Sequence, residues 1–422
     1  MKVKITPSKV SGTIAIPASK SISHRAIICA SLAQGKSTIT NLTFSKDIEA
    51  TISCMRSFGA KIEVQKNSCI IEGCNLFDLQ DGICCDCNES GSTLRFLIPA
   101  GALSNKKVTY LGKGRLLERP MGIYQKIFDE QKLLFEQSQD AIHIQGKLQS
   151  GHYQIDGNIS SQFISGLLFV LPLLDSDSTL TINEPYESRS YVDLTLDMLK
   201  CFGIEIKQDK NTYYIKGNQK YIAHDVKIEG DYSQMAFFGV LAGLNSSLTC
   251  SNMNLNSVQG DKAILDILAS AGCSINSKKD FITIHPSKLQ PKTIDLSDCP
   301  DLGPILCVLA SYCEQTTTII NAQRLRMKES DRIEAMEVEL KKWNVDIQTT
   351  FDTITIHGKS EYALDDIPII DSHNDHRIVM AMCVFGLCAN TPCIIENAQA
   401  ITKSYPDFFE DIQRIGGKVE IL

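Results

Sequence analysis

Six nearly wholly apolar runs, at 26–33, 94–103, 163–174, 235–244, 305–312 and 378–389, punctuate an otherwise mixed chain. Each run spans two or three helical turns without a polar face, so each predicts a helix buried on most sides. A Thr- or Ser-rich strand start follows every run, at Ser37, Lys107, Ser178, Ser247, Thr316 and Pro392, with spacings of 70, 71, 69, 69 and 76 residues. A period this regular marks an internal repeat. After each strand come a polar loop, an amphipathic helix and alternating strands, as in SFGAKIEV (57–64), CFGIEIKQ (201–208), SAGCSINS (270–277) and RIGGKVEI (414–421). Gly falls at the helix end there, where a left-handed residue closes the last turn. Repeat two lacks that Gly at 128–137, so no glycine marks its helix end, and repeat five has Trp343-Asn344 instead.

Six repeats over 422 residues exceed what one core supports and divide into two domains of three, with a break near residue 225. The sixth repeat stops without a last strand, whereas VKITPSK (3–9) echoes ITIHPSK (282–288). The expected domains are therefore 14–225, and 1–13 together with 226–422, the N-terminal strand closing the last repeat.

Composition narrows the function. The apolar runs stop short of the ~20 residues a membrane helix needs, so no membrane partner is expected. MKVKITPSKV has neither an apolar signal core nor an Arg-rich transit pattern, and a cytoplasmic location is expected. A net charge of −7 without a long basic run argues against nucleic acid as a partner. Among sixteen cysteines, Cys84 and Cys87 form one C-x-x-C spacing with no partner pair, and many others sit in apolar runs, so no metal is expected. Any anionic ligand must then be held by cations gathered locally.

Helix-start signals precede every apolar run: Ser19-Lys20-Ser21 with Arg25, Ser90-Gly91-Ser92, Ser160-Ser161-Gln162, Asp231-Tyr232-Ser233, Pro300-Asp301 and Asn374-Asp375-His376-Arg377. Each reads first as an N-cap. In repeats one to three these segments also carry hydroxyls, Gly and Lys or Arg, and helix N-termini favour anions. A second set of loops at a common phase holds Arg115, Arg119, Ser188, Arg189, Lys403 and the basic stretch 324–332. Parallel helices would bring these starts to one face per domain, and two such faces would meet across an electropositive cleft. Gln34-Gly35-Lys36-Ser37 copies only the end of a phosphate loop, since Ala30 stands where its first Gly belongs. Gly112-Lys113-Gly114 lacks the third Gly of a dinucleotide turn.

The segments SKSISHRAIICASLAQG (19–35), ESGSTLRF (89–96), ERPMG (118–122), DGNISSQF (156–163), RLRMKESDR (324–332), NDHR (374–377) and ITKSYPDFFEDI (401–412) resemble the motifs of one enolpyruvyl transferase family. That family is the 3-phosphoshikimate 1-carboxyvinyltransferases, or EPSP synthases. The resemblance implies an α/β fold, a two-domain inside-out α/β barrel of six βαβαββ repeats with the active site in the interdomain cleft. It also implies a monomer acting on small anionic substrates, a place in the shikimate pathway to chorismate and aromatic amino acids, and no cofactor. The family's shikimate 3-phosphate contacts fall on Lys20, Ser21, Arg25, Ser160, Ser161, Gln162, Ser188, Asp301 and Lys328. Its phosphoenolpyruvate contacts, where the family also binds glyphosate, fall on Lys20, Gly91, Arg119, Gln162, Arg332, Arg377 and Lys403. Some members have Asn where Arg324 stands, so no contact is carried there.

The implied reaction needs a base and an acid. Asp301 is similar to the family's base; Glu329, flanked by Lys328 and Arg332, is a candidate acid if bound phosphates raise its pKa. Lys20 and Lys403 would stabilise developing charge, and Lys20 rivals Glu329 as the proton donor. Two alternatives differ in kind. UDP-N-acetylglucosamine 1-carboxyvinyltransferases carry a Lys-Asn pair near the first helix and usually a Cys or Asp on the second-repeat loop; here the pair is Lys20-Ser21 and the loop is GKGRLLERP. Sliding clamps built of similar repeats need basic inner helices, whereas these are apolar.

Overall fold

Every repeat of the chain closes into one four-stranded sheet served by two helices. In this computed structural model, which describes residues 1–422, the six sheets share one order, illustrated by the third repeat. His152–Asp156 runs parallel to Ser178–Asn183, which is antiparallel to Thr212–Ile215, itself antiparallel to Ile206–Asp209. The alternation in STLTIN buries Ser178, Leu180 and Ile182 on one side, as a half-buried strand requires.

One helix per repeat is buried on nearly every side. These inner helices are α1 (Lys20–Leu32), α3 (Gly91–Gly101), α5 (Ser161–Val170), α7 (Tyr232–Leu244), α9 (Gly303–Ser311) and α11 (His376–Cys388). The outer set is α2 (Lys46–Ser57), α4 (Gly122–Glu130), α6 (Arg189–Cys201), α8 (Ala263–Ser270), α10 (Arg332–Lys341) and α12 (Phe408–Arg414). The chain divides into two compact units, one of Ala18–Ile228 and one of Met1–Pro17 with Glu229–Leu422, each with its own apolar core. In the second of these, α7, α9 and α11 pack against one another. Each fully buried Leu, Ile or Phe there contributes about 1.5–3 kcal/mol, which is why these runs need no polar face.

The unit boundary falls three or four residues later than the expected 13/14 and 225/226. Gly12–Ala15 completes a sheet parallel to Leu248–Ser251, and Val226–Lys227 completes another beside Lys36–Thr40. Each crossing segment is therefore spent as an edge strand. In the sixth sheet Val3–Thr6 stands between Cys393–Glu396 and Lys418–Ile421, antiparallel to both, the place Thr212–Ile215 holds in the third.

The outer helices explain the missing glycine. Gly59, Gly203, Gly272 and Gly416 all have positive φ, between 79° and 106°, just past their helices. Lys132 and Asn344 take the same position with φ of 56°. Repeat two thus ends its helix as the others do, with a lysine bearing a conformation that costs an L-residue about 1–2 kcal/mol.

Two outcomes follow. Lys132→Gly should raise stability by about 0.5–1 kcal/mol in urea unfolding, the relief of strain outweighing glycine's unfolded-state entropy; a lowered midpoint would show the turn is not strained. Deleting residues 1–8 removes buried Val3 and Ile5 and both ladders they serve, so a loss on the order of several kcal/mol is expected in thermal melts.

Candidate active site

In the unit 18–228 the starts of the inner helices are tied together by polar side chains. Lys20 Nζ lies 2.8 Å from Asp47 Oδ2. Arg25, one turn further along α1, is nearly buried: its Nε donates to Thr195 Oγ1 (2.8 Å), Nη1 to the Ser21 carbonyl (2.6 Å) and Nη2 to that of Tyr191 (2.7 Å). Burial lowers its pKa to about 10, still a cation at neutral pH. Gln162 bridges two helix starts, its amide nitrogen donating to Ser92 Oγ and its oxygen accepting from Arg95 Nη1, both at 2.9 Å. Ser160 caps α5 and Ser90 caps α3. Ser161 follows at the first position of α5, and Ser188 is buried in a left-handed conformation just before α6.

A buried chain of hydroxyls stands behind these starts. His24 Nδ1 meets Thr51 Oγ1 at 2.7 Å, Thr51 meets Thr93 Oγ1 at 2.7 Å, and Thr93 donates to Ser90 Oγ at 2.8 Å. Burial, then the Lys20 and Arg25 charges, hold the His24 pKa well below its ordinary value, so the imidazole is neutral.

In the other unit the cations converge on Asp301. Its Oδ1 accepts from Lys328 Nζ (3.0 Å) and Arg332 Nη1 (3.2 Å), and its Oδ2 from Arg377 Nη2 (3.0 Å). Arg377 Nη2 also donates to Ser233 Oγ at 2.9 Å, so groups at the starts of α7, α9 and α11 touch. Arg332, 1% exposed, further binds Asp375 through Nε (2.8 Å) and Glu329 through Nη2 (2.6 Å). Lys403 Nζ donates to the Asn374 carbonyl at 2.6 Å. Burial opposes ionisation of Asp301, but Arg377, Lys328 and Arg332 outweigh it and hold its carboxyl well below the usual range. Asp375 is likewise depressed, burial being overcome chiefly by Arg332. Both carboxylates therefore stabilise the fold above the ordinary carboxyl pKa near 4, and that contribution is lost as pH falls through their lower folded values.

Two of the six expected caps are not caps. Ser19 precedes α1 without a side-chain cap bond, and α9 is preceded by Leu302, Asp301 lying in the 3₁₀ turn Pro300–Leu302. A carboxylate within reach of three cations gains more from them than from one backbone N–H. Asp47, Arg95, Ser233 and Asp375 bond the expected site residues; from the sequence Asp47 and Arg95 had no role, and Ser233 and Asp375 only that of helix starts. Arg95 and Asp375 lay inside quoted motifs; Asp47 could have been found only as an acid in the first turn of an outer helix. Cys84 faces solvent on the strand Ile83–Asp86 while Cys87, just past its end, is buried, so the C-x-x-C pair does not share one environment. No helix is long and apolar enough to cross a membrane.

Comparison with known proteins fits this arrangement. A profile of the EPSP synthase (3-phosphoshikimate 1-carboxyvinyltransferase) family matches residues 5–412. The chain belongs to the EPSP synthase family. It is 44% identical to the 3-phosphoshikimate 1-carboxyvinyltransferase of Clostridium novyi (strain NT), over 99% of this chain and 98% of that one. With the enzyme of Clostridioides difficile (strain 630) the identity is 42%, over 99% and 98%. The solved EPSP synthase of Acinetobacter baumannii superposes with a TM-score of 0.82 at 26% identity, covering 99% of each chain. The enolpyruvyl transferase NikO of Streptomyces tendae, 15% identical, shares the fold, with a TM-score of 0.79 over 99% of this chain and 98% of that one. The chain is thus a transferase, and the clamp alternative falls.

Gly91 yields a specific test. A methyl group there would stand 2.7 Å from Arg119 Nη1 and 3.7 Å from Gln162 Oε1. The close neighbour is this chain's own guanidinium, so Gly91→Ala should displace Arg119 and raise the KM for phosphoenolpyruvate, with a smaller effect on kcat. Steady-state kinetics at varied phosphoenolpyruvate check this.

Proposed function

We propose that this chain transfers the enolpyruvyl group of phosphoenolpyruvate to the 5-hydroxyl of shikimate 3-phosphate, releasing phosphate. The observation that carries the reading is Asp301, a carboxylate engaged by Lys328, Arg332 and Arg377 at once. Such a cluster suits a site whose substrates are anions, because it supplies cations in excess of one and a proton acceptor among them.

The hydroxyl oxygen bonds to C2 of phosphoenolpyruvate while a proton is delivered to C3. Phosphate then leaves C2 as C3 gives a proton back, which restores the double bond. Asp301 takes the hydroxyl proton. Clamped by three cations it is a weak base; the phosphoenolpyruvate anion, drawing on Arg332 and Arg377, loosens that clamp and raises its basicity. Glu329, paired with Arg332 at 2.6 Å, is freed by the same exchange to carry the proton to C3. Lys20 is the rival donor, and with Lys403 it stabilises the leaving phosphate.

Gly91, Arg119 and Gln162 complete the phosphoenolpyruvate set. Ser21, Ser160, Ser161, Gln162 and Ser188 supply hydroxyl and amide partners for shikimate 3-phosphate. Arg25, held by Thr195, Ser21 and Tyr191, joins Lys20 and Lys328 as a cationic contact for shikimate 3-phosphate and also fixes the start of α1. Protein groups suffice for every step in this scheme. The same reading makes the chain a monomeric cytoplasmic enzyme, which sedimentation of the purified protein tests for the first property.

Phosphate release should require both substrates, and UDP-N-acetylglucosamine should not replace shikimate 3-phosphate. Release with either substrate alone, or with the nucleotide sugar, would sink the assignment. Asp301→Asn should lower kcat by about 10²–10⁴-fold, and Glu329→Gln should also slow turnover. Because Asp301 accepts three charged hydrogen bonds, Asp301→Asn should additionally cost about 1–3 kcal/mol of stability. A folded Asp301→Asn enzyme with near-normal kcat removes it as the base. Arg119→Ala should act mainly on the KM for phosphoenolpyruvate.

A further inference from the structure

The loop between Ile369–Asp371 and α11 is strained where it matters. His373 and Asn374 are consecutive non-glycine residues with φ of 50° and 52°. A left-handed pair is a less favoured backbone for residues with side chains, His and Asn tolerating it better than most, so contacts around the loop decide whether it keeps this shape. The Asn374 carbonyl accepts from Lys403 Nζ at 2.6 Å, and the next residue, Asp375, binds Arg332 and caps α11. One hydrogen bond of Lys403 thus rests on this backbone, whose N–H groups at 373 and 374 donate to Asp371 Oδ1 (3.0 Å) and Ser372 Oγ (3.1 Å).

The clasp is Glu339, a side chain 1% exposed at the far end of α10 from Arg332. Its Oε1 meets His373 Nε2 at 2.9 Å; its Oε2 accepts from Lys342 Nζ at 2.7 Å and from the Asp371 backbone N–H at 3.1 Å. A buried carboxylate satisfied by three donors from two segments is a fixed point rather than a surface ion pair. We infer that Glu339 and His373 are positioning residues for phosphoenolpyruvate binding, holding the left-handed pair so that the Asn374 carbonyl seats Lys403. The inference rests on the reading of Lys403 as a phosphoenolpyruvate contact.

The clasp titrates. The hydrogen bond and then the charge of Glu339 raise the His373 pKa above its ordinary value, with Asp371 assisting, while partial burial and Lys342 oppose. These are the charged groups that face the imidazole. A raised folded pKa means the charged clasp is fully present below the ordinary histidine value near 6.5 and weakens as pH climbs through the higher folded value.

The test is the KM for phosphoenolpyruvate across pH 6 to 9, in wild type, His373→Gln, Glu339→Gln and Lys403→Met. Gln keeps a donor at position 373 but cannot titrate. Wild-type KM should rise with pH over the range where His373 deprotonates, and His373→Gln should lose that step. Glu339→Gln should raise KM about 5-fold or more at pH 6 with less effect on kcat. His373→Gln placed on Lys403→Met should add little, because the two act through one contact. A purely structural clasp would lower melting temperature and the active fraction yet leave the pH profile of KM unchanged, and that result overturns the inference. If Lys403→Met leaves KM unchanged, the underlying reading of Lys403 fails and takes this one with it; if Lys403→Met raises KM while the clasp variants do not, this inference fails alone. Should the variants not fold, the wild-type enzyme decides by NMR of its histidines. Linkage requires phosphoenolpyruvate to raise the His373 pKa, and an unmoved titration refutes the coupling.

Discussion

A helix that is apolar all round can present its polarity only at its ends, and six such helices organise this protein. Along α7 every residue from Tyr232 to Gly243 is buried, so the first backbone N–H groups are where that segment can meet charge. The repeats place these ends together within each unit: Arg377 reaches Ser233 and Asp301 in one, Gln162 reaches Ser92 and Arg95 in the other. The chemistry is thus a by-product of burial. Sheets that cover the helix flanks leave the starts as the place where lysine, arginine and hydroxyl groups gather.

Gathered cations need a counterweight, and the protein provides it internally. Lys20 has Asp47, Lys328 has Asp301, and Arg332 has Asp301, Glu329 and Asp375. An acidic chain of net charge −7 can therefore hold anions without a surface that attracts polyanions. An incoming carboxylate or phosphate must compete with a resident carboxylate for the same nitrogen atoms. By Coulomb attraction alone a multiply charged ligand is favoured over a singly charged one in that exchange.

The repeat and its inner and outer helices were legible in the sequence because each rests on a local pattern repeated six times, and the family motifs because each is a contiguous segment. What was not legible depends on contacts distant along the chain. The surroundings of Asp301 illustrate the limit: the family resemblance singles it out as the base and the local pattern reads it as a cap, but only the fold brings Lys328, Arg332 and Arg377 within 3.2 Å of it. Lys132 shows the converse. Its sequence argues against the left-handed turn, but the repeat geometry imposes it and the lysine bears the strain. Glu339 was invisible because an acidic residue in an outer helix looks like part of a solvated face, whereas its carboxylate is buried beneath the His373 loop.

Strand exchange also sets an order on synthesis. The unit Ala18–Ile228 is continuous and can complete its sheets once Val226–Lys227 has been made. The other unit starts with strands that emerge first yet pair with Leu248–Ser251, Cys393–Glu396 and Lys418–Ile421. Val3 and Ile5 must therefore wait, unpaired and apolar, while some four hundred further residues are translated. At about 5–20 residues per second that is an interval of tens of seconds, long on the scale of folding and of aggregation. A strand made early is thus among the last of its sheet to find partners on both sides.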